Sequence, residues 1–245
     1  GWERESLWNR GVYSLSLLEM TMSGRSRSVC TILLFTPSLA WAEPVATQEG
    51  AWSQLRPAEI QASSFLKNNW NRYSENYHPN YSGDDNPATA WVEGVSGNGE
   101  GQELILQTSQ IAQARGVKLR IRNGYQKSKN LLKANAAPRE VRVSLRSGPR
   151  EVQSQTATLD RKMGWQDLEI ALPQEPGFDT VVLEVLSVHP GSRYQDTCIS
   201  DVQIYVDSDV EWNQLVETAR YRHLEAWIQE RQETAAYFSS QPVGY

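Results

Sequence analysis

Strict alternation of apolar and polar residues over short runs is the feature that most narrows what this chain can fold into. Val117, Leu119 and Ile121 alternate with Lys118, Arg120 and Arg122, and Val141, Val143 and Leu145 with Arg142, Ser144 and Arg146. Leu168, Ile170 and Leu172 repeat the pattern, as do Val202, Ile204 and Val206. A period of two puts one side of a strand into a core and the other into solvent. Val181–Leu186 is continuously apolar apart from Glu184, which suits a central strand. Turn signals separate the runs: Asn123-Gly124, Ser147-Gly148-Pro149, Pro176-Gly177 and Pro190-Gly191. Short strands without helical crossovers predict an all-β fold, an antiparallel jelly-roll sandwich.

The strands occupy residues 61–207 in this reading. Upstream, Met22 is followed by Arg25 and Arg27, the apolar run Val29–Phe35, and Ala40-Trp41-Ala42 before Glu43-Pro44. A charged start, a short apolar stretch and an Ala-x-Ala site are the parts of a secretory signal. Residues 1–42 are therefore expected to be an upstream extension plus signal peptide, with translation starting at Met22, and the protein to be periplasmic or secreted. Residues 43–60, with Pro44, Gly50 and Pro57, read as a linker. After residue 207 the period changes. Ser208 and Glu211 have capping-box spacing, and Trp212, Leu215, Val216, Ala219, Leu224, Trp227 and Ile228 follow at near-helical intervals. An amphipathic helix is expected over 208–236 and a loose tail over 237–245.

The net charge of −5 conceals an asymmetry. Between Arg115 and Lys162 there are 13 Lys or Arg against three acids. Strand alternation explains many of these as solvated faces, and a basic face for an anionic surface is the other reading. Of the two cysteines, Cys30 falls in the segment expected to be removed, which leaves Cys198 without a disulfide partner. With no His or Lys adjacent in sequence, Cys198 reads as a small buried hydrophobe.

Familiar catalytic motifs are absent: no Gly-x-Ser-x-Gly, His-Glu-x-x-His, P-loop or Cys-x-x-Cys, and His78, His189 and His223 lack metal-ligand spacing. The acidic turn Gly83–Trp91 has its own logic. Asp84, Asn86 and Thr89, with Asp201 from the late strand, could supply a hard cation such as calcium with oxygens. The alternative is an Asx-turn in which Asp84 caps backbone amides. Trp91 is expected to be a core ring.

The stretches Asp84–Trp91 with Val92-Glu93-Gly94, Asn123–Ser128, Asn135 with Pro138, and Tyr194–Asp201 occur in an order and spacing that resembles the discoidin, or coagulation-factor type C, superfamily. Within it the chain is most similar to the glycan-binding, translocation-type module of a streptococcal NAD-glycohydrolase toxin. The resemblance implies a galactose-binding-like sandwich and carbohydrate binding, not NAD hydrolysis. It points to Asn123, Tyr125, Lys127, Arg193, Tyr194 and Asp196 as the glycan site, where rings stack on a sugar face and polar groups bond its hydroxyls. Asn68–Tyr73 could line the same rim.

The expected function is a non-catalytic glycan-binding module of an exported bacterial protein. Its expected partner is a glycan or glycoconjugate, rather than nucleic acid or a membrane surface. The alternatives are a structural or protein-interaction module positioning a catalytic domain absent from this chain, or anionic-surface binding through residues 115–162. The mature protein is expected to begin at Glu43; N-terminal sequencing of the exported form tests this, and a mature chain that keeps Cys30 refutes it.

Overall fold

The computed structural model describes residues 52–68, 75–208 and 214–240. The signal segment, Trp212 and residues 69–73 of the Asn68–Tyr73 rim lie outside the described residues. Among the described residues, ten strands form two five-stranded antiparallel sheets. One sheet runs β1 (Trp52–Leu55), β10 (Cys198–Asp207), β5 (Gly116–Asn123), β8 (Gln166–Ala171), with β3 (Trp91–Val92) also on β10. The other runs β2 (Glu59–Ala62), β4 (Glu103–Ile111), β9 (Phe178–His189), β6 (Ala137–Ser147), β7 (Arg150–Thr158).

The alternating runs build the core as the period requires. Val117, Leu119 and Ile121 of β5, Val141, Val143 and Leu145 of β6 and Leu183 of β9 are fully buried between the sheets. The apolar Val181–Leu186 run lies in β9, central in its sheet. Trp91 is fully buried, and its indole N–H donates to the Ser64 carbonyl at 2.9 Å. Among the described residues, no helix is long and apolar enough to cross a membrane.

Two expectations change. Residues 52–60 of the expected 43–60 linker are not linker, because β1 and the start of β2 lie there and Leu55 and Ile60 reach the core. Each strand is only four residues long and Pro57 sits between them, so no periodicity can show. The second change concerns the helices. A short helix α1 (Lys129–Ala134) interrupts the β pattern, with the Ser128 hydroxyl accepting from the Leu131 amide at 3.2 Å. The C-terminal helix α2 is described over Gln214–Ser240, past the expected end at 236 and into the expected tail; residues 209–213, with Glu211 of the capping box, lie outside the described residues. Of its expected apolar stripe, Leu215 is 82% exposed and Val216 and Ala219 are also exposed, while Leu224 and Ile228 are buried and Trp227 packs against the core.

Polar contacts dock the rest of α2. The Glu217 carboxylate accepts from the Arg56 amide and from the Ser109 hydroxyl at 2.6 Å. Arg231 lies 4.2 Å above the Trp227 ring and pairs with Glu75 at 3.1 Å. The Trp227 ring sits 4.6 Å from His78, which also meets Phe65 edge-on at 5.0 Å. His78 Nδ1 accepts from the Asn80 amide at 3.2 Å, capping the 3-10 turn Pro79–Gly83.

That environment holds His78 below the ordinary histidine pKa: burial dominates, Arg231 adds to it, and Glu75 opposes it. The folded state therefore prefers neutral imidazole, whereas the unfolded chain takes a proton near pH 6.5. This contribution to stability is present above that pH and is lost as pH falls through it. Urea unfolding at pH 8 and pH 5.5 checks this. The stability gap between wild type and His78→Gln is expected to narrow at the lower pH, by up to about 1.4 kcal/mol for every tenfold by which folding weakens proton binding at His78; an unchanged gap refutes it.

Candidate functional site

The end of β5 supplies two adjoining groups of residues. The first gathers around tyrosines. Asn123, the last residue of β5, is fully buried. Its amide Nδ2 donates to the Pro138 carbonyl at 2.7 Å and the Asp160 carbonyl at 3.0 Å. Gly124 follows at φ +79, and a Cβ there would come within 2.5 Å of Leu132, so the chain can pass over α1 only with glycine. Buried Gln126 then ties the loop down. Its Oε1 accepts from the Gly164 amide at 2.8 Å and its backbone N–H donates to the Ser200 hydroxyl at 2.9 Å. With Asn123 and Gln126 turned inward, half-buried Tyr125 and exposed Lys127 are left on the outside.

Tyr125 meets Tyr77 edge-on, with ring centroids 6.5 Å apart, over a small cluster of Ala90, Val92 and Cys198. Burial first, then neighbouring Tyr77 and Cys198, push the Tyr125 phenol up to about 12. Tyr77 is raised by burial, then by the charges of Cys198, Asp196 and Tyr194. Tyr194 is 39% exposed, and the Arg193 guanidinium lies 5.0 Å over its ring. The Arg193 and Tyr194 amides both donate to the Ala134 carbonyl, at 3.0 and 2.9 Å, which fixes this loop on the end of α1.

Tyr125 thus meets Tyr77, the Asp196 carbonyl accepts from the Cys198 thiol beneath them at 3.5 Å, Arg193 stacks on Tyr194, and Lys127 sits on the adjoining loop. Asn123 does not join them: it is buried beneath the loop, where its amide bonds the chain rather than a ligand. Sequence reasoning misses Tyr77 because Trp70, Tyr73 and Tyr81 flank it and nothing local singles it out from them.

The second group is the acidic turn. Asp84 Oδ1 accepts from the Asn86 amide at 2.9 Å and Oδ2 from the Thr89 hydroxyl at 2.7 Å. Asn86 Oδ1 is taken by the Ala88 amide at 3.0 Å. This is the Asx-turn arrangement. Asp85 adopts φ +58, with its carboxylate held by Arg56 at 3.1 Å and Gln203 at 2.6 Å. Asp201, with its side chain 1% exposed, pairs with Arg122 Nη1 at 2.8 Å, and the same nitrogen donates to the Asp85 carbonyl at 3.1 Å. Asp201 Oδ1 is buried without a donor, and the carboxyl lies within hydrogen-bonding range of Asp84. Burial first holds both carboxyls above the usual range; the Asp85 charge adds to the rise at Asp84, and at Asp201 the Asp84 charge adds to it while the Arg122 hydrogen bond opposes it.

A hard cation needs six to eight oxygens. Here the Asn86 and Thr89 oxygens and both Asp84 oxygens serve the turn itself, and a guanidinium already bridges Asp201 and the Asp85 carbonyl. The four residues expected to bind calcium do converge, but as arranged their oxygens do not make a coordination shell. Among the described residues no three or more His, Cys, Asp or Glu are grouped to hold a metal. The two groups touch: the Tyr125 hydroxyl reaches the Ala88 carbonyl of the acidic turn at 3.4 Å.

A two-sheet antiparallel sandwich with an aromatic-lined loop end defines a type C, discoidin-like domain. Residues 52–205 match the family described as the NAD glycohydrolase translocation F5/8 type C domain, and the chain belongs to that family. Comparison with curated proteins gives no match. Among solved structures, a truncated AlyQ with CBM32 and alginate lyase domains is similar at 16% identity and TM-score 0.43, over 66% of this chain and 35% of that one. The F5/8 type C domain of a Bacteroides fragilis protein is similar at 12% identity and TM-score 0.44, over 64% and 97%. The family 32 CBM of C. perfringens NanJ, solved with galactose, is similar at 12% identity and TM-score 0.42, over 62% and 98%. The chain thus spans about a third of the AlyQ chain.

Asn123→Ala takes the side-chain donor from the buried Pro138 carbonyl and one of two from the Asp160 carbonyl, which keeps Gln166. It is expected to lower stability by about 1–3 kcal/mol in urea unfolding. A variant as stable as the parent would make Asn123 a surface contact after all.

Proposed function

We propose that this chain is a non-catalytic glycan-binding module of an exported bacterial protein. The observation that carries the reading is the edge-on meeting of Tyr77 and Tyr125 over Cys198 at one end of the sandwich, with exposed Tyr194, stacked by Arg193, on the loop that leads into Cys198. A pyranose offers an apolar face and a rim of hydroxyls, and this set offers rings beside donors and acceptors. The loops are held by Asn123, Gln126 and the Ala134 carbonyl, so little ordering is left for binding to cost. A family described as a translocation domain suits a module that engages a surface while chemistry is done elsewhere.

The basic 115–162 segment does not act as one face in this reading. Arg120 pairs with Asp167 at 3.1 Å, Arg142 with Glu151 at 2.8 Å and Arg146 with Glu103 at 3.7 Å. A second reading, attachment to an anionic membrane, is favoured by Met163, 42% exposed beside Lys162. Vesicles of phosphatidylserine against phosphatidylcholine separate it from the first.

Affinity for one sugar is expected on the order of micromolar to millimolar, because each hydrogen bond replaces one to water and nets about 0.5–1.5 kcal/mol. Tyr194→Ala is expected to weaken binding about tenfold, the loss of one stacked ring, with an almost unchanged Tm, since that side chain is partly exposed. A glycan array with the full chain, then titration of the best sugar against both proteins, checks it. No sugar above background, or equal binding by Tyr194→Ala, refutes the site.

A further inference from the structure

The acidic turn is built as a cation site, and the cation is already part of the chain. We propose that the Arg122 guanidinium is the resident cation of the Asp84–Asp201 cluster, so that the native module holds its turn without calcium, and that removing Arg122 opens the place to a divalent ion.

The argument rests on what Arg122 touches. A single nitrogen, Nη1, contacts the Asp201 carboxylate at 2.8 Å and the Asp85 main-chain carbonyl at 3.1 Å. A carboxylate and a backbone carbonyl converging on one point are what a hard cation selects. The Asp85 carbonyl belongs to the one residue of the turn with a left-handed backbone, φ +58. The guanidinium is locked from the other side by Trp165, whose ring lies 4.2 Å from Cζ. Register fixes it further, since Arg122 and Asp201 are direct partners across the β5–β10 ladder. A metal ion at the same point would meet a like charge that cannot deprotonate.

Charge balance agrees. Asp84, Asp85 and Asp201 form the cluster, and Arg56 and Arg122 pair with two of them, at 3.1 and 2.8 Å. The charge left over is that of one carboxyl in the facing Asp84–Asp201 pair. When Arg122 is replaced by a short neutral residue, Asp201 Oδ2 and the Asp85 carbonyl lose their donor together. Asp201 Oδ1 has none to begin with. Three oxygens on two chain segments are then free to face one ion, with water completing its shell.

The experiment compares the full chain with Arg122→Ser and Arg122→Lys, by thermal unfolding in chelator and in millimolar calcium. Terbium luminescence sensitised by Trp165 is the direct readout. Wild type and Arg122→Lys, which keep the charge, are expected to show one Tm with and without calcium and no saturable luminescence. Arg122→Ser is expected to melt lower in chelator and to recover roughly 5–10 °C at calcium 100-fold above its Kd, with saturable luminescence. If it folds only when calcium is present, that dependence is the same result in stronger form. A wild-type Tm that falls in chelator overturns the proposal, because calcium is then the native cation. An Arg122→Ser that stays unresponsive or unfolded in calcium also overturns it.

Discussion

Strand β10 pairs with β1, β3 and β5, and its register against β5 sets where both ends of the fold meet. Asp201 faces Arg122, Ile204 faces Leu119, and Cys198 faces Val92 of β3. One ladder therefore fixes the buried ion pair, the centre of the core and the floor of the tyrosine group. A slip of one residue would turn Val202, Ile204 and Val206 outward and bring Gln203 and Tyr205 into the core. It would also separate Arg122 from Asp201, leaving two charges in a site where only one side chain is partly wet. The apolar core and the polar turn thus specify the same register.

Much of this is legible in the sequence. Alternation makes β5, β6, β8 and β10 readable from their apolar positions. Elements whose cause is not periodic stay hidden. Strands β1 and β2 are too short to show a period. Strand β7 is an edge strand whose residues are nearly all partly or fully exposed, so no apolar face marks it. Helix α1 depends on a cap at Ser128 and on the space left by Gly124, both tertiary conditions. In α2 the stripe of Leu215, Val216 and Ala219 misleads, because the first described turns dock through Glu217, a buried carboxylate that reads as a surface residue.

The site is legible to a similar degree. Tyr125, Tyr194 and Asp196 can be found because they sit in motifs; Tyr77 cannot, because nothing local marks it. Asn123 misleads for a physical reason. A polar residue on a loop reads as exposed, yet a loop that crosses a strand end must satisfy its own carbonyls, and Asn123 and Gln126 do this from below. The acidic turn shows the opposite ambiguity: oxygens that could face an ion can equally cap amides, and which they do depends on whether a cation arrives from another strand. Here one does, on β5.

Beneath the tyrosines lies Cys198, fully buried, its thiol raised far above its usual pKa by burial and then by the charges of Asp196 and Glu93. A protonated, enclosed sulfur is inert toward oxidants in an oxidising compartment. It becomes reactive only when the loop end lifts away from Val92 and Ala90. The rate of its alkylation is therefore a clock for local opening at that end, separate from global unfolding. An occupant resting on Tyr77, Tyr125 and Tyr194 would slow the clock without touching the sulfur, so one native atom reports both the breathing of the loops and whether anything is seated on them.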